Sequence, residues 1–265
     1  MNHSLDYSKL KGRTLFIATP SYGDRVTVPY MRSMLGLMKH CRTFGVIYMH
    51  YTLSTESLVT RARNSCVAAF LSQDGKSDKS VKFDTMIFID SDISFEPNDV
   101  FKLMLHDKEI VGGVYPKKRI DFKRLIKFVE QGHEPSESLS MDYVMTMLKQ
   151  NEHKIVNSLM EVGEIGTGFL MIKRSVFENM IEKYGDSIRY KPLNLVIGQK
   201  PENFYAFFHT DIDPDTNYYL SEDYFFVKRW IKDFDGKVFA DIDIPLTHVG
   251  NMKFEGSFQS LLKIT

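Results

Sequence analysis

Residues 85–92 read Thr-Met-Ile-Phe-Ile-Asp-Ser-Asp. Thr85 to Ile89 is a continuous strand-forming run of the kind buried on both faces of a parallel sheet, and it stops abruptly at Asp90. A carboxylate pair at the C-terminal end of such a strand, here Asp90 and Asp92 flanking Ser91, points into the crevice where open α/β sheets bind ligands. Hard carboxylate oxygens in that place suit Mg²⁺ or Mn²⁺ carrying a diphosphate. Asp and Ser also build ordinary solvated turns, so the decision rests on the flanking segments.

Upstream, Leu15 to Ala18 is a short apolar run emptying into Thr19, Pro20, Ser21, Tyr22 and Gly23, a buried strand followed by a turn. Gly45 to Tyr51 reads as a second strand. Ser54 and Thr55 then offer a helix N-cap, with Glu56 placed to favour the positive helix start, and the helix runs to about Leu71. Leu58, Ala62, Cys66 and Ala69 share one face of it, which leaves Arg61, Arg63 and Asn64 off the core stripe. On that reading Arg63→Ala weakens ligand binding more than it destabilises the fold.

Downstream, Pro97 opens another helix, and Ile110 to Tyr115 is a strand whose Gly112 and Gly113 mark a close approach of backbone or ligand. Residues 121–160 form a charged insertion, helical around Met141 to Gln150. Gly163 to Ile172 resumes a strand pattern and Ser175 to Tyr184 a helix. Phe204 to His209 is an aromatic strand candidate, and Asp211 to Asn217 an acidic turn. Ser221 caps a helix whose Val227, Trp230, Ile231 and Phe234 form an i, i+3, i+4, i+7 stripe. Val238 to Ala240 leads on to Pro245 and His248. Strands alternating with helices, without a linker or repeat, predict one α/β domain over 1–265.

Composition narrows the function. Thirty-four basic residues balance thirty-four acidic ones, which argues against a general nucleic-acid binder, although Lys117, Lys118 and Arg119 make a local patch able to meet phosphates. No apolar run approaches the ~20 residues of a membrane span, and Met1 to Lys11 carries no signal-peptide pattern. Of two cysteines, Cys41 and Cys66, the second lies in a predicted helix and reads as a buried thiol, so a reducing compartment fits. A cytoplasmic protein is expected, in the host cytoplasm if virus-encoded.

The order of the remaining motifs resembles that of the GT-A glycosyltransferases over most of the chain. Arg63 and Asn64 look like the Arg-Asn pair that such enzymes place near the donor, with Arg61 assisting at the diphosphate. Gly166, Thr167 and Gly168 look like the family's glycine motif, where missing side chains let the chain approach donor and acceptor. Ser221, Glu222 and Asp223 match its x-E-D motif, and His248 stands where metal-using members carry a late histidine. Each has a plainer reading: a solvated arginine, a tight turn, acids complementing a helix dipole, a structural histidine. The resemblance is narrower to small cytosolic or virus-encoded members.

What the resemblance implies is a single GT-A domain with a mixed, mostly parallel sheet. Residues 1–120 would be its nucleotide-binding half, 121–160 an insertion and 161–265 the acceptor and catalytic half. A nucleotide-diphosphate sugar, UDP being the commonest, would lie with base and ribose at Thr19, Pro20 and Tyr22 and its diphosphate near Arg61, Arg63, Asn64, Asp90 and Ser91. Gly166, Thr167 and Gly168 would face the sugar. Mn²⁺, or Mg²⁺, would be held by Asp90, Asp92 and His248, the imidazole tilting the choice toward Mn²⁺. Asp223 would take the proton of a glycan or other hydroxyl-bearing acceptor with inversion, and Glu222 would hold a substrate hydroxyl. Competing readings are a retaining transferase, a haloacid-dehalogenase-like phosphatase with Asp90 as nucleophile, and a non-catalytic nucleotide-sugar binder. The phosphatase family carries its D-x-D on the first strand, whereas here the motif lies about ninety residues in.

Overall fold

The computed structural model describes residues 5–54, 56–76, 81–148 and 154–251. β1 (Thr14–Ser21) opens the sheet with Leu15, Phe16, Ile17 and Ala18 all fully buried. The alternation of side chains along a strand sends these four to two different cores. Phe16 and Ala18 join the core on one face of the sheet, while Leu15 and Ile17 join that on the other.

α1 (Val28–Phe44) has no counterpart in the sequence reading, which passed from Gly23 to Gly45. Its signals are nevertheless local. Thr27 accepts the Tyr30 N–H at 3.3 Å, Pro29 stands in the first turn, and Gly45 ends the helix at φ 70°. Tyr30, Met34, Leu37 and Cys41 form its buried stripe. Because Gly45 is a helix cap, β2 starts later than expected, at Ile47, and runs to Ser54 (Ile47–Ser54). Ser54 is therefore strand rather than N-cap, and Thr55 lies outside the described residues. α2 (Val59–Ser72) is preceded by a turn in which the Glu56 carboxylate accepts the Leu58 N–H at 3.0 Å. The single apolar stripe assigned to this helix is also corrected. Packed between the sheet and the 199–208 segment, α2 buries ten residues, Arg63 and Asn64 among them.

β3 (Thr85–Ile89) is buried along its whole length, as expected. β4 (Ile93–Ser94) follows, then α3 (Pro97–His106), which Pro97 opens within a Glu96–Asp99 capping box. β5 (Ile110–Gly113) is core, and its glycines make room for protein: a Cβ on Gly112 would sit 2.8 Å from the Phe169 carbonyl and one on Gly113 2.8 Å from Leu246. β6 (Pro116–Ile120) and α4 (Phe122–Glu130) begin the insertion. The helix expected around Met141 to Gln150 is replaced by β7 (Met141–Tyr143) and β8 (Met145–Met147), residues 149–150 lying outside the described set. Apolar residues at 141, 143, 145 and 147 repeat every second residue, the period of a strand.

β9 (Ile155–Val156) and β10 (Leu159–Ile165) form a hairpin whose turn residues Asn157 and Ser158 both take positive φ. The strand expected over Gly163 to Ile172 is broken at 166–168, and β11 (Phe169–Lys173) returns antiparallel to β3 before α5 (Arg174–Tyr184). Phe204 to His209 is not a strand. Its adjacent Phe207 and Phe208 enter the same core, which the alternation of a strand forbids, and only Tyr205 bridges to Arg189. β12 (Asp211–Ile212) and β13 (Tyr219–Leu220) flank the acidic turn. α6 (Glu222–Phe234), β14 (Val238–Asp241) and β15 (Thr247–His248) complete the described chain.

The main sheet has the order β2-β1-β3-β11-β5-β14-β10-β8, with β9 on β10. Most strands run in one direction, β10 and β11 being reversed, so this is the mixed, mostly parallel α/β sheet flanked by helices that was expected. Phe70, Phe177, Phe226 and Trp230 pack on one face; Leu37, Cys41, Phe101 and Met104 pack on the other. Both cysteines are free and buried, and no helix among the described residues is long and apolar enough to cross a membrane.

Thr27 links this scaffold to the D-x-D turn, since its N–H donates to the Ser91 carbonyl at 2.9 Å while its hydroxyl caps α1. Thr27→Ala is expected to destabilise the protein by about 1 kcal/mol, the usual value of such a cap. Urea unfolding measures it.

Candidate active site

The C-terminal ends of β1, β3 and β5 and the N-terminal end of β11 lie along one edge of the sheet. Antiparallel register places Phe169 opposite Ile89, so the turn 166–168 stands beside Asp90, whose N–H donates to the Gly168 carbonyl at 2.9 Å.

Arg63 is the centre of this edge. Its Nη1 and Nη2 reach the two carboxylate oxygens of Asp90 at 3.2 and 3.4 Å, while Nε donates to Glu222 Oε1 at 3.1 Å. The guanidinium also lies 5.4 Å from the Phe88 ring centroid. Arg63 is only 5% exposed. Burial opposes its charge, but Asp90 and Glu222 outweigh burial and raise its pKa above the ordinary arginine value. The exposed arginine expected from the helix pattern is thus corrected to a buried tie between D-x-D and x-E-D. Glu222, expected to hold a substrate hydroxyl, is buried and holds Arg63.

Asn64 is buried too. Its amide donates to the Phe208 carbonyl and accepts the Phe208 N–H, both at 2.8 Å, which pins the irregular aromatic segment to α2. Arg61 is held apart, on Glu56 at 2.8 and 2.9 Å, and makes no ion pair with the Arg63 cluster among the described residues.

The second carboxylate belongs to a different group. β15 pairs with β4, His248 opposite Ile93, and the Val249 N–H donates to the Asp92 carbonyl at 2.8 Å. This brings His248 Nε2 to 3.6 Å from Asp92 Oδ1, while Nδ1 bonds the Pro116 carbonyl at 2.9 Å. Anchoring one ring nitrogen on a carbonyl leaves the other facing Asp92, the arrangement usual for a ligating histidine. Lys118 donates to the other Asp92 oxygen. Burial raises the Asp92 carboxyl, but the hydrogen bonds and charges of His248 and Lys118 outweigh it and hold it at about 2. Asp90, Asp92 and His248 therefore do not form the expected triad: Asp90 is turned to Arg63, and no group of three or more His, Cys, Asp or Glu side chains able to hold a metal occurs among the described residues.

Tyr115 explains the glycine turn. Its hydroxyl accepts the Gly168 N–H at 3.1 Å, and its ring meets His248 edge-on at 5.3 Å. A Cβ on Gly166 or Gly168 would come within 2.3 or 2.7 Å of the tyrosine, so both glycines are required by protein packing. Thr167 between them is fully buried, with no hydrogen-bond partner for its hydroxyl among the described residues. Burial raises the Tyr115 pKa, and the charges of Asp90 and Asp223 add to it while the Gly168 N–H and Arg63 oppose it.

Asp223 is half-buried at the start of α6. Its Oδ1 accepts from the Ser221 hydroxyl and from the Tyr224 N–H, whereas Oδ2 has no hydrogen bond among the described residues. Ser221 stands at the N-cap position without making a side-chain cap. Thr19, at the end of β1, is buried with its hydroxyl 2.6 Å from that of Tyr30; Pro20 is half-buried and Tyr22 exposed. His50 Nε2 lies 3.2 Å from the Tyr30 hydroxyl. Tyr30, His50 and Tyr115 have no role in the sequence reading of this edge, and Lys118 enters it only within the phosphate-meeting patch, since no spacing rule ties them to Asp90. Beside His248 opens a cleft of about 1070 Å³, lined by the insertion at Pro116, Arg124, Met141, Tyr143 and Met145 and by residues 242–248.

Two of the solved structures similar to the chain illustrate the likeness. One is A197 from STIV, at 20% identity, 90% coverage of this chain and 86% of that one, with a TM-score of 0.47. The other is a glycosyltransferase involved in the glycosylation of the major capsid of PBCV-1, at 10% identity, 69% and 72% coverage and a TM-score of 0.31. No family model and no curated protein matches the sequence.

The Asp92 shift has a sign that can be tested. A carboxyl lowered from 3.8 to about 2 contributes stability above the unfolded value that is lost as pH falls through about 2. Lys118→Met removes part of this contribution. The variant is expected to be less stable than wild type at pH 7, with the gap closing between about pH 4 and 2 in urea melts; a gap of the same size at both ends would contradict the assignment.

Proposed function

We propose that this chain is a GT-A glycosyltransferase that moves a sugar from a nucleotide-diphosphate donor, a UDP-sugar in the commonest case, to an acceptor hydroxyl. The observation that carries the reading is the Arg63 tie, in which Asp90 of the D-x-D turn and Glu222 of the x-E-D segment meet on one buried guanidinium. Five segments scattered over nearly two hundred residues converge at one sheet edge, and that edge is where α/β sheets bind ligands.

In this reading the donor base and ribose lie along Pro20 and Tyr22, beyond the buried Thr19, and the diphosphate over Asp92 and the Lys118 ammonium. Asp92 and His248 offer one hard oxygen and one imidazole nitrogen, a donor set that fits Mn²⁺ or Mg²⁺. Asp90 joins them only if it leaves Arg63. Such an ion, when bound, supplies charge neutralisation for the departing phosphate. Arg63 and Glu222 hold the crevice in shape, and the buried 166–168 turn, packed against Tyr115, backs it from below. Asp223 Oδ2 takes the acceptor proton, its carboxylate fixed through Oδ1, and the reaction inverts. The cleft beside His248 receives the acceptor. A phosphatase with Asp90 as nucleophile is disfavoured, because both oxygens of that carboxylate are engaged by Arg63.

Asp223→Asn tests the mechanism, because it keeps size and the helix-start contacts while removing the base. Nucleoside diphosphate released from a panel of nucleotide sugars, with Mn²⁺ and an acceptor mixture, is expected to fall 10²- to 10⁴-fold. Nucleotide affinity and melting temperature should hold. Near-wild-type turnover would remove Asp223 as base and reopen a retaining mechanism. Binding without turnover in the wild type, over the whole panel, would leave a nucleotide-sugar binder.

A further inference from the structure

α4 is nine residues long, and none of its side chains is buried. It is held by Asp121, whose carboxylate accepts the Arg124 N–H at 3.0 Å, and by half-burial of Leu125 and Phe128. Phe122, Ile126 and Val129 stand at i, i+4 and i+7, which places them on one helix face, and they are 59%, 56% and 42% exposed. A surface helix ordinarily turns such a stripe toward the core. Here it meets water.

Along β6 and α4 the charge is mainly basic, with the acids Glu134, Glu137 and Asp142 in the segments that follow. Residues 117–130 carry six basic side chains, Lys117, Lys118, Arg119, Lys123, Arg124 and Lys127, against Asp121 and Glu130. Lys118 pairs with Asp92 and Arg124 with Asp142. The other four are exposed and have no ion-pair partner among the described residues.

We propose that β6 and α4 seat the protein on an anionic lipid surface. α4 lies in the plane of the interface with Phe122, Ile126 and Val129 at the acyl boundary, and the basic side chains meet the headgroups. An apolar stripe beside a lysine-rich flank is the pattern of an interfacial helix. Charge selects this occupant over two others. A second copy would bring two basic faces together, and residues 252–265 of this chain, with Lys253 and Lys263 against Glu255, are themselves net positive. A nucleic acid would use the charge but leave the apolar stripe wet. The proposal is independent of the transferase reading.

Flotation with vesicles of phosphatidylcholine, alone or with 30% phosphatidylglycerol, tests it on the full chain. Wild type is expected to bind the anionic vesicles at least tenfold more tightly than the neutral ones, and less tightly as salt is raised. Phe122→Ser/Ile126→Ser/Val129→Ser and, separately, Lys123→Glu/Lys127→Glu should each lower that binding at least tenfold with unchanged melting temperature. If the triple variant fails to fold, Ile126→Ser and the charge pair carry the test. Absence of anionic-vesicle binding would overturn the proposal, as would equal binding by folded variants or a preference for DNA over vesicles. So would a solution dimer abolished by the serine substitutions, or vesicle binding that emerges only when 252–265 are removed.

Discussion

A guanidinium sealed from water must find negative partners, and Arg63 finds them in two carboxylates remote in sequence from each other. Asp90 closes β3 and Glu222 opens α6, so the requirement to satisfy one buried charge fixes the end of a strand against the start of a helix. Two acids that near each other would otherwise repel, which makes the contact conditional on the arginine. The positions of Asp223, one residue beyond Glu222, and of Asp92, two beyond Asp90, follow from this constraint.

The sheet supplies the rigidity behind it. β1 and β3 alternate their apolar side chains between two cores, so neither strand can slip by one residue without exchanging both layers. With β11 in fixed antiparallel register to β3, the turn 166–168 has one place to go. Tyr115 then fills the space that the missing side chains leave and carries the contact on to His248.

Much of this was legible in the sequence. The run Met86 to Ile89, halting at Asp90, announces a strand buried along its length, and the stripe of α6 survives intact. Local signals were also present and missed: Thr27, Pro29 and Gly45 bracket α1, and the period of two in Met141 to Met147 marks strands. The burial of Arg63 was beyond reach, because a helix pattern shows which side chains can point together and not that a carboxylate from Glu222 waits opposite. For the same reason the pairing of Lys118 with Asp92, which competes for the oxygen assigned to a metal, has no trace in residue spacing. Long-range polar partners are products of the fold.

The claim that one buried arginine holds both acidic segments is tested most directly by a double-mutant cycle. Unfolding free energies would be measured for wild type, Arg63→Met, Glu222→Gln and the double variant. If Arg63 ties the two segments, Arg63→Met alone costs about 3–5 kcal/mol by leaving the buried Glu222 and the half-buried Asp90 unpaired. Glu222→Gln then costs less in its absence, giving a coupling of about 1–3 kcal/mol. Additivity of the two changes to within about 0.5 kcal/mol would contradict the account.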